Sequence, residues 1–343
     1  VSRPWRTAGL AALALVGVAL VAASVAFGRE SLSLARAWAE WQSGRPLHET
    51  PVLSILINQR VPRTLAALFA GAGLAVTGAA FQALLRNPLA TPYTLGVASS
   101  SALGAWLAYI VLDQARLADA LAGLPLPQVL AFAFAAGNVL LVYLVGARRA
   151  RSSPAVLLLA GVTLGMLANS GILLTRYLAR PDRLVMMDRW LMGGVDVLGF
   201  RPVLVLGLGV TACAAVLLRQ AHRLDQYAFS EELAAGRGVQ VPRLQVTVFL
   251  AGSLLTAIVV SEVGPIGFVG LIVPHAVRAL TGPGHLPLML ASLGAGAAFL
   301  CACDLVARQI LPGETPIGII TTLVGAPFFL YLLTRRRFTD WEN

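Results

Sequence analysis

A chain of 343 residues that is 57% hydrophobic and 12% charged, with mean hydropathy +0.78, has too little polar surface to cover a soluble fold of its size. All 26 basic residues are arginine, so the lysine of a phosphate-binding P-loop is missing, and any ATP hydrolysis that drives this protein belongs to another chain. The formal net charge of +10 has no soluble basic domain to carry it, which removes nucleic acid as a partner class.

Crossing the hydrocarbon core as a helix takes about 20 apolar residues, and lipid leaves no water for an open backbone. Ten apolar runs meet or approach that length, near 8–27, 64–85, 94–112, 127–147, 154–178, 200–219, 244–262, 266–280, 286–311 and 316–334. The expected fold is therefore all-α, a single polytopic domain over 1–343 with no linker. The first run follows Arg3 and Arg6 and ends near "AASVAFG". It is longer than the 7–15 apolar residues, roughly, of a signal peptide, so it is expected to stay as a first helix. Between the first two runs, Leu34, Trp38 and Trp41 recur at helical spacing and predict a short interfacial helix.

Arg60 and Arg63 stand at the mouth of the second run, where snorkelling is one explanation. The stretch "VTGAAFQALLRNPLATPYTLGV" (76–97) ends one helix and restarts another through proline and glycine, and "VVSEVGPIGFVGLIVPHAVR" (259–278) does the same in the second half. Two such units in corresponding places point to inverted repeats around a pathway. Asn87 and Leu89 flank Pro88, and Ser152 and Ser153 precede Pro154. These prolines either release the backbone from helical geometry or simply start helices.

Orientation follows the arginines of short loops. "GARRARSS" carries Arg148, Arg149 and Arg151, and the C-terminus carries Arg335, Arg336 and Arg337. Ten spans place both termini on that side, taken as cytoplasmic. The polar insert "HRLDQYAFSEELAAGRGVQVPR" (222–243) falls there too. In it, apolar Phe229, Leu233 and Val239 alternate with charge, as a partner-facing helix pair requires.

Cys213, Cys301 and Cys303 lie within apolar runs and read as small core residues. His48, His222, His275 and His285 show no metal-ligand spacing, so no metal site is expected. His275, with Arg278 in "VPHAVR", reads as a structural polar residue near the membrane surface. In the ninth run Asp304 and Arg308 are one helical turn apart and can pair.

The blocks "RVPRTLAALFAGAGLAVTGAAFQALLRNPLATPYTLGVASSSALGAW" (60–106), "SSPAVLLLAGVTLG" (152–165), "RWLMGG" (189–194), "EELAAGRGV" (231–239), "GPIGFVGLIVPHAVRAL" (264–280) and "DLVARQILPGETPIGIITTLVGAPFFLYLL" (304–333), taken in order, resemble the FecCD/BtuC family of ABC importer permeases. The resemblance implies a BtuC-like fold with ten helices per subunit, in the bacterial cytoplasmic (inner) membrane. It implies a dimer, expected here as a homodimer, with two cytoplasmic ATPase subunits and a periplasmic or extracellular binding protein. ATP and magnesium would sit on the ATPases, and no cofactor is expected on this chain. The segment about 225–242 would dock the ATPase through Phe229, Ser230, Glu231, Glu232, Leu233 and Arg237, with Ser230 standing where the family leads one to expect glycine. Arg60, Arg63 and Arg308 would receive acidic residues of the binding protein. Asn87, Leu89, Ser152 and Ser153 would form the cytoplasmic gate. The cargo implied is a ferric siderophore first, then haem, then cobalamin. The rival class is an ion-coupled secondary transporter, which needs an acidic residue at mid-membrane. Its nearest candidate, Glu262, sits at a helix end beside Gly264 and Pro265.

Overall fold

The computed structural model describes residues 4–28, 33–112, 125–147, 154–179, 181–310 and 315–334, and among them regular structure is helical throughout. Helix α1 (Pro4–Ala26) leads to a short α2 (Leu34–Gln42), then to α3 (Pro51–Ile55), which runs through one π turn (Leu56–Arg60) into α4 (Val61–Leu84). Next come α5 (Val97–Leu112), α6 (Leu126–Ala147), α7 (Pro154–Leu178), α8 (Pro181–Leu191) and α9 (Arg201–Arg219). The short helices α10 (Ala221–Phe229) and α11 (Glu231–Gly236) precede α12 (Val241–Val263), α13 (Val269–Thr281), α14 (His285–Ile310) and α15 (Ile317–Thr334). Among the described residues, 6 helices are long and apolar enough to cross a membrane, and shorter apolar helices within α1, α5, α13 and α15 fill the remaining expected spans.

Proline occupies the first turn of α3, α4, α7, α8, α9 and α12. There the missing N–H loses no bond and the fixed φ is already helical. The short helix expected around Trp38 and Trp41 is present as α2, with both rings exposed and their centroids 4.9 Å apart.

Helix α4 is the centre of the bundle, enclosed by α9, α12, α13 and α14. Its buried face is rich in alanine and glycine. Gly71 lies against the backbone of Gly296 on α14, and Gly78 against that of Gly270 on α13, so close that a Cβ at either would overlap the opposing carbonyl oxygen. Lipid tails are as apolar as leucine, so helices in a bilayer gain little by burying bulk, and close backbone approach supplies the attraction.

Two boundaries and one helix differ from expectation. The second span is continuous with α3, so Arg60 and Arg63 lie within a helical run from Pro51 to Leu84 rather than at its mouth. The π turn makes this possible: Val61 N–H reaches back to Leu56 O, Pro62 has no N–H to place, and Asn58 O is left to accept from Gly199 N–H at 2.8 Å. The eighth span begins at Val269, because Gly264 (φ 69°) and Phe268 (φ 67°) are both left-handed and end the helical path. Helix α8 was not foreseen. It is amphipathic, and buries Met187 against Trp106 of α5 and Ile172 of α7.

Both helix–break–helix units exist, and they touch. The first break carries a short 3-10 turn (Pro92–Leu95) closed by left-handed Gly96. From it the Tyr93 hydroxyl donates to Ile266 O at 2.6 Å and accepts from Ile266 N–H at 2.7 Å. One side chain thus satisfies the donor and the acceptor that the second break leaves open, as hydrocarbon requires.

Alanine at Gly78 should therefore cost more than the roughly 1–3 kcal/mol of ordinary overpacking, since two backbones must part. Alanine at Gly137, which meets nothing within 4 Å, should be neutral or stabilise by up to about 1 kcal/mol. Thermal unfolding of the two purified variants checks this, and equal melting temperatures would remove the close approach as a determinant of the fold.

Candidate functional site

The polar residues singled out by sequence gather at the two ends of the bundle. At one end α10 and α11 project from the chain between α9 and α12. Ser230 joins them in extended geometry (φ −164°, ψ 156°), and its Oγ accepts from Leu233 N–H at 2.9 Å. The conformation is one any residue adopts, so glycine is not needed, and serine adds a helix N-cap. Glu231 and Glu232 occupy the first turn of α11, where its positive end favours them. Arg237 is exposed at its C-cap. Phe229 is 80% exposed and Leu233 56% exposed, an apolar pair on a polar projection outside the long apolar helices. Val239, grouped with them by sequence, packs instead against the core.

The projection is fastened to the bundle at two points. Asp225 Oδ1 accepts from His285 N–H at 2.8 Å and lies 2.7 Å from His285 Nδ1, which ties α10 to the start of α14. The Arg86 guanidinium lies over the Tyr227 ring, 4.2 Å from its centroid, and donates to Tyr227 O at 2.8 Å. Burial raises the Tyr227 phenol pKa, so the group stays protonated and donates to Glu231 Oε1 at 3.1 Å while accepting from Gln245 Nε2. Arg86 immediately precedes Asn87. There the chain leaves α4 through a left-handed residue (Arg86, φ 46°), and Asn87 Oδ1 accepts from Leu89 N–H at 2.9 Å. The turn carrying Asn87 and Leu89 is thus joined to α10 through one side chain. Ser152 and Ser153 lie outside the described residues.

At the opposite end Arg60, Arg63 and Arg308 converge, and they are held by the chain itself. Arg60, 6% exposed, donates to the terminal carbonyls of α1 at Val25 (3.2 Å) and Ala26 (2.8 Å). Gly28 leaves room for it, since a Cβ there would meet the guanidinium. Arg308, also 6% exposed, donates to Ser24 Oγ at 2.6 Å and Ser24 O at 3.2 Å, and pairs with Asp304 Oδ2 at 2.7 Å. Asp304 is fully buried, and its other oxygen takes Arg63 Nε at 2.9 Å. Arg63 extends to Asp196 at 3.6 Å, which in turn meets Arg189 at 3.3 Å. Sequence spacing found the Asp304–Arg308 pair. It gave no sign of Ser24, Asp196 or Arg189, which reach the cluster from three other segments.

Four guanidinium groups against two carboxylates leave a surplus of positive charge beside a cleft of about 610 Å³. Arg189 and Asp196 stand at its exposed rim, while Arg60, Arg308 and most of Arg63 lie beneath. His275 Nδ1 bonds within its own helix to Leu271 O at 2.9 Å, and Cys213, Cys301 and Cys303 are buried free thiols. Among the described residues no group of His, Cys, Asp and Glu side chains is arranged to hold a metal ion.

The model of the FecCD transport family matches residues 13–335. The cobalamin import system permease protein BtuC of Halobacterium salinarum is 36% identical over 349 residues, spanning 96% of this chain and 89% of that one. The molybdate import system permease protein MolB of Haemophilus influenzae is 35% identical over 321 residues, with 92% of each chain covered. A solved structure of an inward-facing metal-chelate type ABC transporter superposes with a TM-score of 0.80 at 31% identity, covering 95% of this chain and 98% of the other.

Removing the buried carboxylate tests the arginine cluster. Asp304→Asn leaves Arg63 and Arg308 facing a neutral group and should lower unfolding free energy by about 3–5 kcal/mol. Arg189→Gln at the rim should cost no more than about 1 kcal/mol. Denaturant titration in detergent micelles measures both. A smaller loss at Asp304 than at Arg189 would mean that the pairing does not hold this end together.

Proposed function

The chain belongs to the FecCD transport family of ABC importer permeases, and on that premise we propose that it carries a metal chelate, a ferric siderophore before haem or cobalamin, by alternating access driven by separate ATPase subunits. The observation that carries the ATPase part is the exposed Phe229 and Leu233 pair on α10 and α11. Apolar side chains outside the lipid that face water leave an anchor for a partner, and such anchors concentrate binding energy within a polar rim. Glu231, Glu232 and Arg237 supply that rim. In this reading both termini and the 221–236 end face the cytoplasm, and two ATPase subunits serve a homodimer of this chain in the inner membrane.

The fastenings of α10 describe how a push would travel. Movement of α10 carries the Tyr227 ring, and Arg86 stacked on it, so the turn with Asn87 and Leu89 moves with the projection. The Asp225–His285 contact passes the same displacement to the start of α14. Asn87 and Leu89, together with Ser152 and Ser153, are the cytoplasmic gate on this reading.

The arginine-rich cleft at the other end receives the binding protein. Its surplus positive charge attracts acidic side chains, and the buried network holds Arg63 and the rim in place, so Arg60 and Arg308 act by positioning more than by touch. The relative named for molybdate import makes a small oxyanion the alternative outcome of a cargo assay with the cognate binding protein.

Phe229→Ala combined with Leu233→Ala should weaken co-purification of the ATPase by more than about 1 kcal/mol, with Glu232→Ala costing less. ATP-driven uptake into proteoliposomes should fall in parallel, while the amount of folded permease stays constant because the projection lies outside the lipid. Intact assembly and uptake in the double variant would make α10 and α11 an ordinary solvated loop.

A further inference from the structure

A second charged cleft, of about 360 Å³, shares no lining residue with the arginine-rich cleft. It opens where α6 and α9 begin and α12 ends, three helices long and apolar enough to cross a membrane. Its walls are mostly apolar, with Val129, Phe132, Val205 and Ile258 beside the polar Gln128 and Ser261, and two charged groups line it, Arg201 and Glu262. No ion pair or hydrogen bond joins them, and neither has such a bond to another side chain among the described residues. Glu262 is half-buried and Arg201 exposed.

Two opposite charges left apart beside hydrocarbon are expensive, so such groups pair or meet polar ligands. The backbone reinforces their separation. Arg201 opens α9, whose N-cap makes no side-chain bond and whose first turn has no acidic residue, while Glu262 closes α12, whose last turn has no basic one. The arginine side is thus the positive end of one helix and the glutamate side the negative end of another. Beyond the cleft, exposed Leu204, Val205 and Leu208 continue one face of α9 toward the middle of the bundle.

We propose that this cleft seats the headgroup of a zwitterionic phospholipid, specifically phosphatidylethanolamine. Its phosphate bonds to Arg201, its ammonium donates to Glu262, and an acyl chain lies along the exposed face of α9. A primary ammonium supplies N–H donors that choline lacks, and an anionic headgroup such as phosphatidylglycerol has no cation for Glu262. The apolar column below the charges favours a lipid over a free zwitterion of the same chemistry.

Native mass spectrometry of the full-length permease, titrated with lipids of identical acyl chains, tests the proposal. Phosphatidylethanolamine should bind at least about tenfold more tightly than phosphatidylcholine or phosphatidylglycerol, the fold-change expected of a hydrogen bond to a charged group. Successive N-methylation of the headgroup should erode that preference stepwise, a result that needs no variant. Glu262→Gln should abolish that preference, while Arg201→Gln should weaken binding of all three lipids, neither changing the lipid-free melting temperature. Equal binding of the three lipids, a flat methylation series, a preference that survives Glu262→Gln, or binding unchanged by Arg201→Gln would overturn the proposal. Free phosphoethanolamine competing as well as the lipid would overturn the lipid as the source. A cleft covered by a second permease copy or closed to lipid would give no headgroup preference, and would overturn it equally.

Discussion

In a bilayer, every helix must satisfy its own backbone, and no hydrophobic force draws one helix to the next. The bundle answers both conditions around α4, which reaches the backbones of α13 and α14 through Gly71, Gly78, Gly270 and Gly296. That close contact sets where α4 ends on each side. One end delivers Arg60 and Arg63 to the Asp304 cluster, and the other delivers Arg86 and Asn87 to the projecting helices. The chemistry of both ends therefore rests on a small-residue seam that carries none itself.

The two ends use charge differently. Around Asp304 the charges are buried and paired, and the arginines also close the open carbonyls at the end of α1. Desolvating such a group costs several kcal/mol, roughly, unless its bonds are made, so the cluster behaves as a rigid unit. On α10 and α11 the charges are exposed, and what is conspicuous is apolar: Phe229 and Leu233 in water. The two ends thus differ in kind, one a cluster of paired buried charge and the other an exposed apolar pair on a polar projection.

Between them run the two helix breaks, which Tyr93 couples by completing the backbone bonds of Ile266. Irregular backbone at membrane depth survives only where something repairs it. Here the repair also links the two halves of the chain, so that the break after α4 and the break after α12 hold one arrangement together.

Composition and apolar run length alone determined the class, the number of spans and the absence of a phosphate-binding lysine, because lipid imposes a length and polarity that any window of residues displays. The helix with Trp38 and Trp41 and the Asp304–Arg308 pair were legible because each is a local pattern within one element, and Phe229 and Leu233 because they stand in a polar insert between two apolar runs. The π turn that threads Pro62 into a continuous helix was not, since it depends on Gly199 taking up Asn58 O. Nor were α8, whose amphipathic face has meaning only against Trp106, or the partners Ser24, Asp196 and Arg189. The arginines at 60 and 308 looked like a surface and are mostly interior, because burial of a long cation is decided by which distant carbonyls and carboxylates stand within its reach. That is a property of packing between helices, which no periodicity within one helix records.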